Sequence, residues 1–373
     1  MNDNISMSNP YNPQNHADPN YFGGREDYLR VVSENLDSSL HYRRSSGILV
    51  YGYRGIGKTS MLYKIKAEAE IKGKSIIVYR RLGSTTTDKD LYRMISEDVI
   101  EAVKRNSPLA EKLKRAANKV SAIHTPIMDL DVKAEAEKSP YHLWQKVRDN
   151  IPGIDFIMIE IDDADNLSPE ALGELKTIVE AQSAVPLILV ASGGENFEEQ
   201  LDRDYSPIAR AFSGASFNLE SFTLKELKEV LEAPLKGTKT KWDAEAIKKV
   251  YALSNGYPYL VQCIARACYV ENGTITKNDV ETKLKEALNI GRPWLNNEIR
   301  LASDNDIRSF FKIAKLNKVD LTSGELLKAG VDPVYVGRLV SLKILKKVSR
   351  GRYKLIKAPI IAYYHVLARG ISE

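Results

Sequence analysis

The sequence predicts an α/β protein: a parallel sheet, then a bundle of helices, then a small basic module at the C-terminus. Three features of the 373 residues predict it. Between Tyr21 and about Phe217, short apolar runs alternate with helical patterns; the runs are Ile48 to Tyr51, Ile76 to Tyr79, Phe156 to Ile161, Leu187 to Ala191 and a weaker Ala215 to Leu219. Strands that alternate with helices pair in parallel and are covered on both faces, which is why they read as continuously apolar. The first run leads into a glycine-rich stretch and the third ends in two aspartates. From Asp304 to Glu373 there are fourteen Lys and Arg against six Asp and Glu, so this end carries +8 while the rest of the chain carries −3.

The glycine-rich stretch sets the first element. Gly47-Ile48-Leu49-Val50-Tyr51 runs directly into Gly52-Tyr53-Arg54-Gly55-Ile56-Gly57-Lys58-Thr59, a match to G-x-x-x-x-G-K-[ST]. Ser60 to Lys66 continues with apolar residues at helical spacing and no breaker before Gly73. Strand, loop and helix in that order are the context a phosphate-binding loop requires. The glycines let the backbone amides from Gly52 to Ser60, those of Arg54, Gly55, Ile56 and Gly57 included, curl around the phosphates of a nucleoside triphosphate. Lys58 places a cation between the β and γ groups, and the Thr59 hydroxyl ligates Mg²⁺. The phosphates then rest on a helix N-terminus, where the dipole favours anions. The expected core is therefore a P-loop NTPase sheet.

A site that hydrolyses needs a second strand ending in acid, and Ile157-Met158-Ile159-Glu160-Ile161-Asp162-Asp163 supplies it. Asp162 is expected to hold Mg²⁺ through water, and Asp163 to act as the base that orients the attacking water. Glu160 is out of place in a buried strand and receives no role. Leu187 to Ser192 is a further strand with a polar tip, and Ser192 is the candidate to hydrogen-bond the water or the γ-phosphate.

Composition bounds the rest. With 43% apolar and 28% charged residues, and no window near the roughly 18 consecutive apolar residues of a membrane span, a globular protein of two or three domains without a membrane partner is expected. The Asn-, Pro- and Asp-rich start has no apolar signal region. Cys263 and Cys268, five apart in one predicted helix, suit neither a zinc knuckle nor a disulfide framework, and a cytoplasmic location is the simplest expectation.

Residues 1–20 read as a tail or an extended lead-in, 21–219 as the nucleotide-binding core, 220–290 as a helical lid and 291–373 as a winged helix. Between Arg81 and Asp149 a charged, mainly helical segment is expected, interrupted over Val120 to Val132. Within the lid, Thr223-x-x-Glu226 is a capping box, Asp243 caps a helix that stops at Asn255-Gly256, Pro258 starts another, and Asn278 or Asp279 starts one more. After a linker around Gly291-Arg292-Pro293 come a helix from Asp306, a second capping box at Thr322-x-x-Glu325, and a helix opened by Asp332-Pro333. Ile344 to Ile356 then reads strand, Gly-containing turn, strand. Three helices and a basic hairpin make a winged helix. With its apolar side turned inward, the third helix would present Tyr335, Arg338 and Lys343 to a groove of duplex DNA. Arg350 and Arg352 at the wing tip would reach phosphates or a minor groove, and Lys346, Lys347 and Lys354 would add nonspecific attraction.

The order Tyr21-Phe22-Gly23-Gly24-Arg25-Glu26, phosphate loop, Asp162-Asp163, Gly256-Tyr257-Pro258 and winged helix resembles the STAND branch of the AAA+-like P-loop ATPases. It looks most like the compact archaeal-type ATPases, with the origin-recognition initiators as more distant relatives. The resemblance spans roughly residues 9 to 356. It implies ATP as the nucleotide, Phe22, Gly24 and Arg25 beside the adenine, and Gly256 and Pro258 in a lid that closes over it. It also implies an arginine that senses the γ-phosphate, in cis or across a subunit boundary, at Arg210 of Ser206-Pro207-Ile208-Ala209-Arg210. Two readings of the whole follow: an ATPase whose winged helix binds DNA according to nucleotide state, or a signalling switch that acts on a protein partner or forms a homo-oligomer, with the winged helix used for internal packing. Where initiators carry an arginine just after the lid Gly-x-x, this chain has Tyr259, and neither a repeat array nor an effector domain is expected after the winged helix.

Overall fold

A computed structural model describes residues 9–105, 140–149, 151, 153–180 and 185–371. The chain forms two compact units, Arg25–Leu219 and Met1–Gly24 with Glu220–Glu373.

The first unit begins with α1 (Glu26–Tyr42), which has Glu26 and Asp27 in its first turn, where acids favour a helix N-terminus. β1 (Ser46–Tyr51) leads through the phosphate loop into α2 (Lys58–Glu70), then β2 (Ser75–Arg81), α3 (Asp88–Arg105), α4 (Pro140–Asp149), β3 (Phe156–Asp162), α5 (Pro169–Glu180), β4 (Leu187–Gly193), α6 (Phe197–Phe212) and β5 (Ser216–Asn218). The sheet is wholly parallel, in the order β2-β3-β4-β1-β5. β3 and β4 are buried along their whole length, as strands covered on both faces must be. Ile157, Ile159 and Ile161 face a core built with Leu91, Trp144, Leu172 and Phe197 from α3 to α6. Because side chains alternate along a strand, Met158, Glu160 and Asp162 turn to the other face, where α2 packs on β1, β3 and β4. Of the charged segment expected between Arg81 and Asp149, its interruption at 120–132 lies outside the described residues.

The second unit contains α7 (Leu224–Glu232), β6 (Lys241–Trp242), α8 (Ala244–Ser254), α9 (Pro258–Cys268), β7 (Thr274–Ile275), α10 (Lys277–Thr282) and α11 (Leu284–Leu295). The boxes at Thr223 and Thr322 form as the spacing predicts, and Asp243 accepts from the Ala246 amide. Two boundaries move. α10 is capped by Thr276 with Asp279 as its box partner, so Asp279 lies inside the helix. The expected linker at 291–293 is instead the end of α11, with Pro293 inside the helix. A Cβ at Gly291 would lie 3.1 Å from Leu295 Cδ1 of the same helix and at an ordinary contact distance of 3.6 Å from Cys263 Sγ of α9. Packing of Leu288 and Leu295 into the core overrides the local breaker signal.

The chain continues through α12 (Asp304–Ala314), β8 (Asp320–Thr322), α13 (Ser323–Lys328), α14 (Pro333–Ser341), β9 (Leu345–Ser349), β10 (Arg352–Leu355) and α15 (Pro359–Arg369), with an antiparallel sheet in the order β8-β10-β9. Three helices, a three-stranded sheet and a hairpin are the parts of a winged helix, and α15 packs on α12 behind them. α12 starts two residues earlier than the expected Asp306, because Ser303 is the cap and Asp306 its box partner. Lid and winged helix share one apolar core, from Leu227, Val250 and Leu260 to Phe310, Leu339 and Ile361. Buried Glu298 pairs with Lys357 at 2.6 Å across the same junction.

The N-terminal segment joins this core. Tyr11 is fully buried, its hydroxyl donates to the Leu231 carbonyl, and Trp242 Nε1 donates to that hydroxyl at 2.9 Å. Arg266 holds the Tyr11 carbonyl at 2.9 Å and Asn9 Nδ2 donates to the Arg266 carbonyl at 2.8 Å. From Asn9 onward it is thus a strap on the lid, not a tail; the buried aromatic, not the Asn and Pro around it, decides its fate.

Candidate nucleotide site

The carboxyl ends of the strands gather the groups that the sequence singled out. In the register, Arg81 of β2 lies beside Asp162 of β3, Ile161 beside Ala191 of β4, and Ser192 beside Val50 of β1. The phosphate loop leaves β1 at this level. Gly52, Gly55 and Gly57 all have positive φ, at 146°, 84° and 101°, a region that glycine enters without strain. At Gly52 a side chain is also excluded by contact, since a Cβ would stand 2.9 Å from the Leu219 carbonyl, while at Gly57 only the backbone angle demands glycine. Ile56 is buried, so it contributes its backbone to the loop and its side chain to the packing beneath; Arg54 is exposed. Lys58, Thr59 and Ser60 form the first turn of α2, capped by Gly57 with no side-chain hydrogen bond, and a helix start of this kind is suited to receive an anion.

Lys58 folds over the loop, its Nζ donating to the Gly52 carbonyl at 2.9 Å and the Tyr53 carbonyl at 3.4 Å. Burial lowers its pKa, and the charges of Asp163, Asp162 and Asp165 oppose that shift. Asp165 is a third carboxylate at this end that sequence reasoning missed; its Oδ2 accepts from the Gly194 amide at 3.2 Å.

Asp162 is 1% exposed and is met by hydroxyls. Thr59 Oγ1 and Tyr79 OH each donate to its Oδ2 at 2.8 Å, and Ser192 Oγ donates to its Oδ1. The Thr59 and Asp162 oxygens form the hard donor pair that Mg²⁺ takes, with water and phosphate oxygens to complete the shell, so the residues present fit that ion. Among the described residues no cluster of three or more His, Cys, Asp or Glu offers a metal site built from protein alone.

Ser192 departs from expectation. It is fully buried, gives its one proton to Asp162 and accepts from the Asp163 amide at 3.3 Å. With the proton so engaged it orders the two aspartates and does not point a donor at a γ-phosphate. Asp163 has a left-handed backbone, φ 58°, and its Oδ2 takes a hydrogen bond from Arg81 Nε at 2.8 Å. Glu160 is 1% exposed with both carboxyl oxygens unpartnered, and burial pushes its pKa up to about 8.

Arg210 lies elsewhere. It is exposed in the last turn of α6, and the next residues, Ala211 and Phe212, pack against Gly47 at the amino end of β1. Five residues of strand, roughly 16 Å at about 3.3 Å each, separate that end from the loop. Arg210 therefore does not reach this chain's own γ-phosphate position; the side chains of 204–209 beside it are outside the described ones. Arg81, paired in register with Asp162, does stand at the phosphate end.

The other expected nucleotide residues divide between the units. Arg25 opens α1 in the first unit, buried, with φ 67° and its guanidinium 5.7 Å from the Tyr28 ring centre. Phe22 and Gly24 belong to the strap, and Gly23 between them passes close to α7, where a Cβ would lie 2.8 Å from the backbone of Glu229 and Val230. Gly256 has φ 68°, and a Cβ would overlap the Phe222 carbonyl at 2.0 Å, so the lid itself requires this glycine; Pro258 is buried in the first turn of α9. Tyr259 packs on Trp294 at 5.8 Å between ring centres.

In the winged helix, Arg350 and Arg352 are exposed at the hairpin, as are Lys343, Lys346, Lys347 and Lys354. Arg338 is a correction. Its guanidinium forks onto buried Asp306, Nε to Oδ1 and Nη2 to Oδ2, both at 2.7 Å, and so faces α12 instead of a groove. Tyr335 is half-buried, with its hydroxyl accepting from Asn305 Nδ2 at 2.9 Å.

Comparison with known proteins agrees with this geometry. Residues 41–201 match the family model described as an AAA domain. A Walker-type ATPase of Pyrococcus abyssi has a similar fold over 91% of this chain and 95% of its own, with TM-score 0.52 at 16% identity. The Aeropyrum pernix ORC2 protein, solved as ADPNP–ADP complexes, is similar over 95% of this chain and 98% of its own, with TM-score 0.51 at 14% identity. No curated protein matches the sequence. Among the described residues no helix is long and apolar enough to cross a membrane. Residues 41–201 thus carry an AAA domain on a parallel P-loop sheet, and the chain as a whole is similar in fold to the Walker-type ATPase and to the ORC2 protein.

Proposed function

We propose that this chain is an ATP-binding and ATP-hydrolysing switch of the AAA+/STAND type, whose winged helix binds duplex DNA in a nucleotide-dependent way. The observation that carries the nucleotide half is the hydrogen bond from Thr59, in the first turn after the phosphate loop, to Asp162 at the end of β3. Adenine is favoured because a protein of similar fold was solved with ADPNP and ADP. Lys58 and the amides opening α2 would hold the phosphates, and Thr59 and Asp162 would hold Mg²⁺, which would supply charge neutralisation there. Asp163 orients the attacking water with the oxygen that Arg81 leaves free. Phe22, Gly24, Arg25, Gly256 and Pro258 remain proposals for the base side, and Arg210 for a second copy's nucleotide.

The DNA half rests on the exposed cations of the β9–β10 hairpin. Lys346 and Lys354 face each other across it, a like-charge pair that is unfavourable in isolation and suits a polyanion. Since lid and winged helix share one core, a lid that follows the nucleotide carries the hairpin with it. The test is a fluorescence anisotropy titration of duplex DNA with an ATP analogue and with ADP, at two salt concentrations. Expected are affinity that differs between nucleotides and falls steeply with salt, and weaker binding for Arg350→Glu with Arg352→Glu on every sequence. Unmeasurable binding at low salt with both nucleotides sinks this half.

A second reading, a signalling switch acting on a protein partner, is favoured by the same shared core and by Arg338 being engaged within the fold. It expects a nucleotide-dependent change of assembly state in chromatography without DNA.

A further inference from the structure

The Asp162 carboxylate is gripped from both of its neighbouring strands. Tyr79 on β2 donates to Oδ2 at 2.8 Å, and Ser192 on β4 donates to Oδ1. Rotation of a carboxylate about its last torsion is soft, so an isolated aspartate would present either edge of its oxygens to an ion. One donor on each oxygen, from opposite sides of β3, removes that freedom whether or not Thr59 is engaged. The Tyr79 ring is itself seated against Tyr63 of α2, 5.3 Å between ring centres. A phenol carries a proton at neutral pH, so Tyr79 acts as a donor here. All three donors are neutral hydroxyls, so none of them brings positive charge to the carboxylate.

We propose that Tyr79 is a positioning residue of the Mg²⁺ site, holding Asp162 in the orientation that receives the ion. This rests on the nucleotide-site reading of Thr59 and Asp162. Sequence offers no signal for it, because a tyrosine near the end of an apolar strand is ordinary.

The test measures binding of a fluorescent ATP analogue as Mg²⁺ is titrated. Tyr79→Phe keeps the ring on Tyr63 and removes the donor. Its affinity in EDTA should equal the parent's, while the Mg²⁺ concentration for half-maximal tightening rises about tenfold, the lower end of what outer-shell partners of metal ligands contribute. Replacing Tyr79 by 4-aminophenylalanine, which restores an N–H donor on the same ring, should return the half-point to within about twofold of the parent. A Tyr79→Phe curve that overlays the parent's, or a 4-aminophenylalanine curve as displaced as that of Tyr79→Phe, overturns the role of Tyr79 and leaves the nucleotide site standing. A parent protein whose nucleotide affinity ignores Mg²⁺ overturns both.

Discussion

Asp162 and Asp306 are both buried aspartates near the start or end of a core element, at 1% and 0% exposure, yet they are completed in opposite ways. Asp306 receives the fork of Arg338 and the caps of Ser303, and these hold its carboxyl down at about 2. Its charge is satisfied inside the fold. Asp162 receives only hydroxyls, from Thr59, Tyr79 and Ser192, with Lys58 turned onto loop carbonyls. A buried carboxylate without a cation costs stability unless something else brings positive charge. The difference separates a carboxylate neutralised by a cation inside the fold from one met by hydroxyl donors, and burial alone does not make the distinction.

The largest effect that could break this comparison is on the nucleotide. Lys58→Ala should lower triphosphate affinity by about 100-fold or more, read by equilibrium binding, because the cation between the phosphates is lost. Asp163→Asn should bind nucleotide like the parent and lose hydrolysis by a similar factor; normal turnover would remove Asp163 as the base. Neither change should shift the melting of the unit that contains Asp306.

Glu160 sharpens the comparison from the other side, as a buried carboxyl given no donor at all. Its folded pKa of about 8 lies above the ordinary 4.5. The unfolded chain therefore loses this proton first, and the stability it contributes is whole below pH 4.5 and drains away as pH rises towards 8. Glu160→Gln should flatten that part of the melting-temperature profile between pH 5 and 8. An unchanged slope would mean that the carboxyl is ionised in the fold.

The smallest expected effect is at Arg338. Arg338→Ala strips Asp306 of its fork and should lower the melting temperature by a few degrees, leaving triphosphate affinity as it was. Since the Asp306 carboxyl is held below its ordinary value, the stability it brings is present above about pH 3.8 and is lost as pH falls towards 2. The variant should show a shallower acid limb; loss of DNA affinity without loss of stability would instead return Arg338 to the groove.

Much of the first unit was legible. The phosphate loop and the Asp162-Asp163 tip are contiguous patterns whose chemistry needs those residue types at that spacing, and the strands around them carry unbroken apolar runs. The caps at Thr223, Asp243, Thr322 and Asp332 were legible for the same reason, since each bonds to an amide two or three residues away. β8, three residues long, was not: it becomes a strand only by pairing with β10. Nor was the strap, whose buried Tyr11 gains its meaning from Trp242 and Leu231, more than 200 residues on. Pro293 reads as a breaker until α9 is there to pack against.

By itself, then, the sequence determined what a short stretch of chain can do to a phosphate or to its own backbone, because those interactions close within a few residues. Only the tertiary structure decided which charges are spent. Arg338 and Asp306 lie 32 residues apart, Tyr79 and Asp162 83, and Arg210 sits at the wrong end of a strand. Whether a side chain is a ligand, a brace or a bystander depends on which partner arrives first at its polar atoms, and it is folding that brings the partner.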